Sequence, residues 1–308
     1  MASALKNVVL VGAGGNLGSH VLAAFLASGA FNITVLSRES STSIFPDGLR
    51  IVRSDYSHGS LVAAFHDQDA VISLVGRSGY ADQQKLVDAA LAAGVKRFIP
   101  SEFGNNSADA RVRALAPILE GKKAKIDYLR QREHRMSWTT VITGAFFDYA
   151  LRIGFLGFDL KAHDATIYDN GTVPASVSTL PQIGRALVAI LEHPEATANQ
   201  YVYVESFTVT QNEVLEALEK ASGETWTLNN VNLRPLIEES TERFKQGDLA
   251  GARILNLAAG VARFPDGPYG DWSTVPGGSW NGRLGLEKED LDDVARSLLG
   301  EDGTIGKA

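Results

Sequence analysis

Apolar and polar positions along the chain follow a two-beat pattern. Short, almost unbroken apolar runs alternate with longer segments in which apolar residues recur every third or fourth position. The first pair is the clearest. "VVLV" (8–11) runs into a glycine cluster, and "LGSHVLAAFLAS" follows, closing at Gly29. An unbroken apolar run predicts a strand buried on both faces, as at the centre of a parallel sheet. The second segment predicts a helix, with glycine a natural residue just past its end. The pattern continues with strands at "NITVLSR", "LRIVRSDY", "DAVISLVG" and "VKRFIPSEFG", and helices at "SLVAAFHDQ" and "QQKLVDAALAAG". Regular strand–helix alternation predicts an α/β protein with a doubly wound parallel sheet of the Rossmann type. On such sheets ligands lie beyond the carboxyl ends of the strands. Gly76, Arg77, Ser101, Glu102 and Phe103 are placed to line a site there.

From about residue 104 the rhythm changes. A polar stretch, "NNSADARVRALAP", precedes a basic helix, "EGKKAKIDYLRQREH", and a strand, "WTTVITGAFF". Beyond lie a glycine- and aromatic-rich segment, "RIGFLGFDLKAHDATIYDNG", a helix at "TLPQIGRALVAILEH" and a strand at "NQYVYVE". Residues 211–222 and 233–259 read as helical, then a long loop leads to a last helix at "EKEDLDDVARSLL". The expected organisation is a dinucleotide-binding domain over 1–150 and a smaller mixed substrate-binding part over 151–308. The boundary is approximate, and the chain can return to the sheet after it.

The glycine cluster carries the first chemical signal. Gly12 permits the tight strand-to-helix turn, Gly15 lets the backbone approach a pyrophosphate, and Gly18 lets the helix pack against the strand. The free N–H groups opening the helix, at Asn16 and Leu17, would face the phosphates. The second strand then selects the dinucleotide. An acidic residue at its end would bond the ribose 2′-OH of NAD. Here stand Ser37 and Arg38, with Ser40 and Ser41 just beyond, and Arg38 lies twenty residues past Gly18. A guanidinium can pair with a 2′-phosphate and stack on adenine, so NADPH is the expected cofactor. Asp55 and Tyr56, ending the third strand, complete the expected cofactor contacts on this side.

Composition narrows the class. The chain has 308 residues, 44% hydrophobic and 21% charged, which suits a sizeable core. A net charge of -7 argues against nucleic acid or an anionic membrane as the main partner. No cysteine is present, so neither disulfides nor thiolate chemistry is available. The first strand begins within a few residues of the start, leaving no room for a signal peptide, and no apolar run is long enough to span a bilayer. The expectation is a cytoplasmic protein acting on a small-molecule substrate.

A nucleotide site alone defines no activity. None of the eight tyrosines is followed by a lysine four residues on, the six histidines are scattered, and no glycine-x-serine-x-glycine elbow occurs. The remaining candidates are Lys122, Lys123 and Lys125 at the start of the basic helix. The helix dipole and neighbouring ammonium groups there disfavour the charged form, lowering a pKa toward useful acid–base range.

Taken together, "GAGGNLG", Arg38, "AAGVKRFIPSEFG", "KKAKIDYL" and "WTTVITGAFFDYAL" resemble the NmrA-like branch of the atypical short-chain dehydrogenases, most closely the isoflavone reductase family proteins of fungi. The likeness covers almost the whole chain, and "RFIPSEFG" followed by the lysine helix is its most specific part. The resemblance implies an NADPH-dependent reductase whose helix-heading lysine is general acid/base beside the nicotinamide. Registering on the family's lysine-x-x-aliphatic-x-x-tyrosine-leucine pattern gives Lys122; registering on the aliphatic residue alone gives Lys123. Phe103, Phe146, Phe147 and the "GFLGF" aromatics are candidates for apolar walls, or equally for ordinary core. Two departures stand out. Gly14 replaces the family's usual threonine, and the sequence after "SEFG" lacks the acidic, histidine-bearing stretch of the plant enzymes, so their phenylpropanoid substrates do not carry over. Some NmrA-like members instead sense NADP(H) and regulate a protein partner, often without the lysine.

Overall fold

The computed structural model describes residues 5–300, except for the side chains of Arg77 and Ser78; of the positions expected at the site, the Arg77 side chain therefore lies outside the described residues. The amino-terminal half runs β1 (Asn7–Val11), α1 (Asn16–Ser28), β2 (Asn32–Arg38), β3 (Arg50–Ser54), α2 (His58–Phe65), β4 (Ala70–Ser73), α3 (Gln83–Ala92) and β5 (Arg97–Ile99). After it come a short α4 (Ala110–Leu115), the basic helix α5 (Glu120–Arg130), β6 (Ser137–Ile142) and α6 (Phe147–Arg152). Two small strands, β7 (Phe158–Asp159) and β8 (Asp164–Tyr168), lie inside the aromatic-rich segment, which was not read as strand. Then come β9 (Ala175–Val177), α7 (Leu180–Glu192) and β10 (Gln200–Tyr203). The remainder is β11 (Phe207–Val209), α8 (Gln211–Ser222), β12 (Thr227–Val231), α9 (Leu233–Lys245), α10 (Leu249–Val261) and α11 (Leu291–Gly300).

Seven strands form one parallel sheet in the order β10-β6-β5-β4-β1-β2-β3. Its central strands β1, β4 and β5 are buried because both faces are covered, whereas the edge strand β3 is largely exposed. Alternate residues of β1 enter opposite cores: Val8 and Leu10 meet α1 and α7, while Val9 and Val11 meet α2 and α3. The α5 residues Ile126 and Leu129 belong to that second core. A third core, around Phe147, Phe158, Trp226 and Leu257, joins α6, β8, α8 and α10 into a cap with its own β12-β8-β7 and β11-β9 sheets.

The chain returns to the main sheet past residue 150. Thr179 caps α7 by accepting from the Gln182 N–H at 3.2 Å, and α7 lies directly against α1. There Gly184 allows the approach: a Cβ at that position would stand 2.9 Å from both the Ala24 Cβ and the His20 carbonyl oxygen. Arg97, 3% exposed, ties the returning segment to the sheet by donating to Ser137 Oγ, Thr139 Oγ1, Thr197 Oγ1 and the Pro194 carbonyl.

The single helical run read over 233–259 is two helices. Gly247 turns with φ +85°, and the Asp248 carboxylate accepts from the Ala250 N–H at 2.8 Å to open α10. A left-handed glycine followed by a capping aspartate stops one helix and starts the next.

Gly184→Leu should lower the free energy of unfolding by roughly 1–3 kcal/mol in guanidinium titration, since overpacking outweighs the helix propensity gained. Gly59→Ala, where an added Cβ meets nothing within 4 Å, should instead leave stability equal or raise it by about 0.4–1 kcal/mol.

Candidate active site

The glycine loop works through three different constraints. Gly12 adopts φ +88°, and its carbonyl accepts from the Gly15 N–H at 3.1 Å. At Gly18 a Cβ would sit 2.1 Å from the Gly12 oxygen, so helix and turn touch backbone to backbone. Gly15 differs. Its backbone is extended, with φ -87° and ψ 175°, and a Cβ there would find its nearest protein neighbour at 3.4 Å. Nothing inside the protein demands glycine at 15; its absent side chain clears the outward face of the loop. Gly15 also supplies no side-chain cap to α1, leaving the first N–H groups of that helix available to an anion.

This loop forms one wall of a cleft of about 220 Å³ lined by Gly12, Gly15, Ser37, Arg38, Tyr56 and Gly76, all expected from the sequence. The cleft also takes Ser41, Ser43 and Phe45 from the loop after β2. That loop is held from β3, where Arg53 Nη1 donates to the Ser41 carbonyl at 2.6 Å and to the Arg38 carbonyl at 3.4 Å. Gly14 has its explanation here: a Cβ at 14 would lie 2.4 Å from Ser43 Oγ. The glycine does not loosen the turn; it makes room for a neighbouring loop. The donor set fits a phosphorylated dinucleotide, with bare amides for a pyrophosphate and Arg38 with serines at the end of β2.

Other expected residues lie elsewhere. Asp55 is exposed and turns its carboxylate to the Ser57 N–H at 2.9 Å, a bond that holds its pKa below the usual range. Asn16 is exposed at the start of α1, and the Leu17 side chain is buried in the α1–α7 core. Ser101 Oγ donates to the Val75 carbonyl at 2.7 Å and binds the β4 and β5 ends together.

At the carboxyl end of β5 the lysines separate. Lys122 Nζ donates to the Phe103 carbonyl at 3.1 Å, from a partly buried position. Lys123 Nζ bonds the Asp127 carboxylate at 2.6 Å, and Lys125 Nζ the Gln84 amide oxygen at 3.1 Å. Burial holds the Lys122 ammonium below the usual lysine range, and the nearby Glu102 charge opposes that shift. Glu102 is fully buried, its pKa raised by desolvation against the pull of Lys122, Ser107 and Tyr80. Tyr80 and Ser107 come from separate loops, so no spacing in the sequence announces them.

A second cavity, of about 50 Å³, lies beyond the β5 and β6 ends, lined by Gly104, Asn105, Gly144, Ala145, Phe155 and α10 residues including Asn256. Its walls are mostly apolar. Asn105 Nδ2 donates to the Asn256 carbonyl at 2.7 Å, joining the sheet edge to α10. Of the aromatic candidates, Phe155 reaches this cavity. Phe103 and Phe147 are buried in the cores, Phe158 stacks edge-on with Trp226, and Phe146 packs partly buried against the first core.

A glycine-loop cleft at the carboxyl edge of a seven-stranded parallel sheet, with a cap beside it, defines a dinucleotide-binding protein of the Rossmann class. The comparisons agree. The model of the NmrA-like family matches residues 4–239. "Oxidoreductase aprR" of Aspergillus flavus is 36% identical over 296 residues, covering 95% of this chain and 98% of that protein. "Isoflavone reductase homolog IRL" of Zea mays is 31% identical over 259 residues, covering 79% and 82%. Among solved structures, "AtPrR2 with NADP+ and (+)pinoresinol" superposes with a TM-score of 0.76 at 20% identity, over 97% of this chain and 100% of that one. The chain belongs to the NmrA-like family, and it is an oxidoreductase of the isoflavone reductase-like kind. Among the described residues, no helix is long and apolar enough to cross a membrane.

Gly15→Val should abolish NADPH binding in a fluorescence titration while the melting temperature changes little, because the valine side chain would fill the cleft rather than the protein interior. Arg38→Ala should weaken NADPH by about 1.5–3 kcal/mol, as for a hydrogen bond to a charged group, and leave NADH nearly unaffected. Equal affinities of the unaltered protein for the two cofactors would sink the 2′-phosphate assignment.

Proposed function

We propose that this protein is an NADPH-dependent reductase of a small, largely apolar, aromatic substrate, with Lys122 as its general acid/base. The observation that carries this reading is the position of the Lys122 amine. It is anchored to the carbonyl of Phe103, whose neighbours along the chain, Gly104 and Asn105, line the second cavity, although Lys122 itself lines neither cavity. When bound, NADPH supplies a hydride from its nicotinamide. Gly12, Gly15 and the open N-terminus of α1 hold its pyrophosphate, and Arg38 with Ser37 and Ser41 its adenosine end. Lys122 gives a proton to the substrate oxygen as negative charge develops there, and takes one back in the reverse direction. A partly desolvated amine suits the task, because burial brings its pKa toward working pH. The walls of the second cavity are mostly apolar, with the Asn105–Asn256 amides as polar contacts, but at about 50 Å³ it must widen before an aromatic ring can enter. The AtPrR2 structure, solved with NADP+ and (+)pinoresinol, supports a small-molecule substrate without naming its class.

Lys122→Met should keep NADPH affinity within about twofold and lower turnover roughly 10²–10⁴-fold on whichever phenol, ketone or enone a substrate panel identifies. Lys123→Ala and Lys125→Ala should stay near the unaltered rate. Turnover lost only in Lys123→Ala would move the role by one residue. Normal turnover in all three would remove the lysine mechanism. Tight NADPH binding with no oxidation across the panel, and a protein partner that distinguishes NADP⁺ from NADPH, would favour a sensor.

A further inference from the structure

Glu102 is 0% exposed, and a buried charged group requires a counter-charge or a full set of hydrogen bonds. It has both. Tyr80 OH donates to Oε1 at 3.2 Å, and Ser107 Oγ donates to Oε2 at 2.8 Å. With a hydroxyl directed at each oxygen, both act as acceptors, which is the arrangement an ionised carboxylate uses. Three further constraints fix this geometry. Tyr80 is set by the turn between β4 and α3, near enough to α5 that a Cβ added at Gly121 would meet its ring at 4.0 Å. The Ser107 carbonyl is held by Arg113 Nη1 at 2.8 Å. Lys122, on α5, donates to the carbonyl of Phe103, the residue after Glu102, at 3.1 Å, and the Glu102 charge favours its ammonium form.

We propose that Glu102 is a positioning residue for Lys122: its carboxylate, clamped by Tyr80 and Ser107 next to the Phe103 carbonyl that holds the amine, favours the charged ammonium and keeps it at that carbonyl, so that Lys122 can serve as a proton donor. The proposal rests on the reading of Lys122 given above. Its logic is a balance of two burial costs. Alone, the buried amine would shed its proton, and alone, the buried carboxyl would take one. Together each favours the charged form of the other, which opposes the shift that burial imposes on both. The ionisable groups facing the pair are accounted for. Tyr80 packs on Glu102 from the β4–α3 turn, and burial together with the Glu102 charge pushes its pKa up, which keeps it a neutral donor. Tyr201 of β10 also feels Glu102, but burial likewise raises its pKa, and Arg130 and Asp127 act on it with opposite signs. Lys123 is turned to Asp127 and Lys125 to Gln84.

The test reads Lys122 itself. Protein made with lysine carrying carbon-13 at Cε is titrated by NMR from about pH 6 to 11, with the Lys122 signal identified by its loss in Lys122→Arg. Glu102→Gln should move the Lys122 midpoint downward by about one pH unit or more, since the carboxylate was favouring the charged form. Glu102→Asp should recover most of that shift, and the Lys123 and Lys125 midpoints should not move. Tyr80→Phe retains the carboxylate but removes one donor, and should shift Lys122 downward by a smaller amount. It also decides the matter should Glu102→Gln fail to fold. An unmoved Lys122 midpoint in the folded variants, with turnover still lost in Lys122→Met, overturns the pairing and leaves the lysine mechanism standing. Normal turnover in Lys122→Met overturns the mechanism, and this proposal with it.

Discussion

One contact without a side chain sets the geometry of the site. At Gly18 the helix α1 approaches the Gly12 carbonyl so closely that even a methyl group would overlap it. That approach fixes the amino end of α1 directly over the carboxyl end of β1. The free N–H groups of the helix, the extended Gly15 and the end of β2 consequently face one space. α7, docked on α1 through Gly184, inherits the same placement. Through α7 and β10 the second half of the chain is locked to the first, and the cap is carried to the β5 and β6 ends, where Lys122 and the smaller cavity lie.

Polar chemistry in this protein is concentrated where loops leave the sheet. The strands contribute apolar side chains to two cores, while their carboxyl ends contribute Ser37, Arg38, Ser101, Glu102 and Asn105. The lysine helix faces both environments: Ile126 and Leu129 bury it against the sheet, and Lys122, about one turn earlier, reaches the polar edge. Amphipathicity along α5 thus positions the amine without any dedicated loop.

How far the sequence reveals this depends on whether a constraint is local. The seven strands of the main sheet were all legible: the central ones because a strand buried on both faces is an apolar run wherever it pairs, and the exposed edge strand β3 through its place in the strand–helix alternation. Gly12 and Gly18 were legible because only glycine fits a positive φ or a backbone contact. Small strands of the cap such as β7 and β8 were not, since their pairing is set by the cap rather than by their own pattern. The break at Gly247 was written in the sequence but masked by a helical periodicity continuing on both sides. Asp55 satisfies the position rule for a cofactor contact, but its bond to the Ser57 N–H just ahead of α2 has no signature in that rule. Tyr80 and Ser107 converge on Glu102 only in three dimensions, and Ser43 beside Gly14 likewise has no signature along the chain.

The Gly14–Ser43 approach means that the phosphate turn and the loop carrying the adenosine contacts form one mechanical piece. A larger residue at 14 displaces the loop, and with it Ser41, which Arg53 holds from a third strand. Cofactor preference in such an arrangement is not a property of any single side chain. An attempt to graft a relative's preference onto this scaffold must exchange the turn, the loop and its arginine anchor as a set. In a drifting lineage, these positions can change only in step with one another.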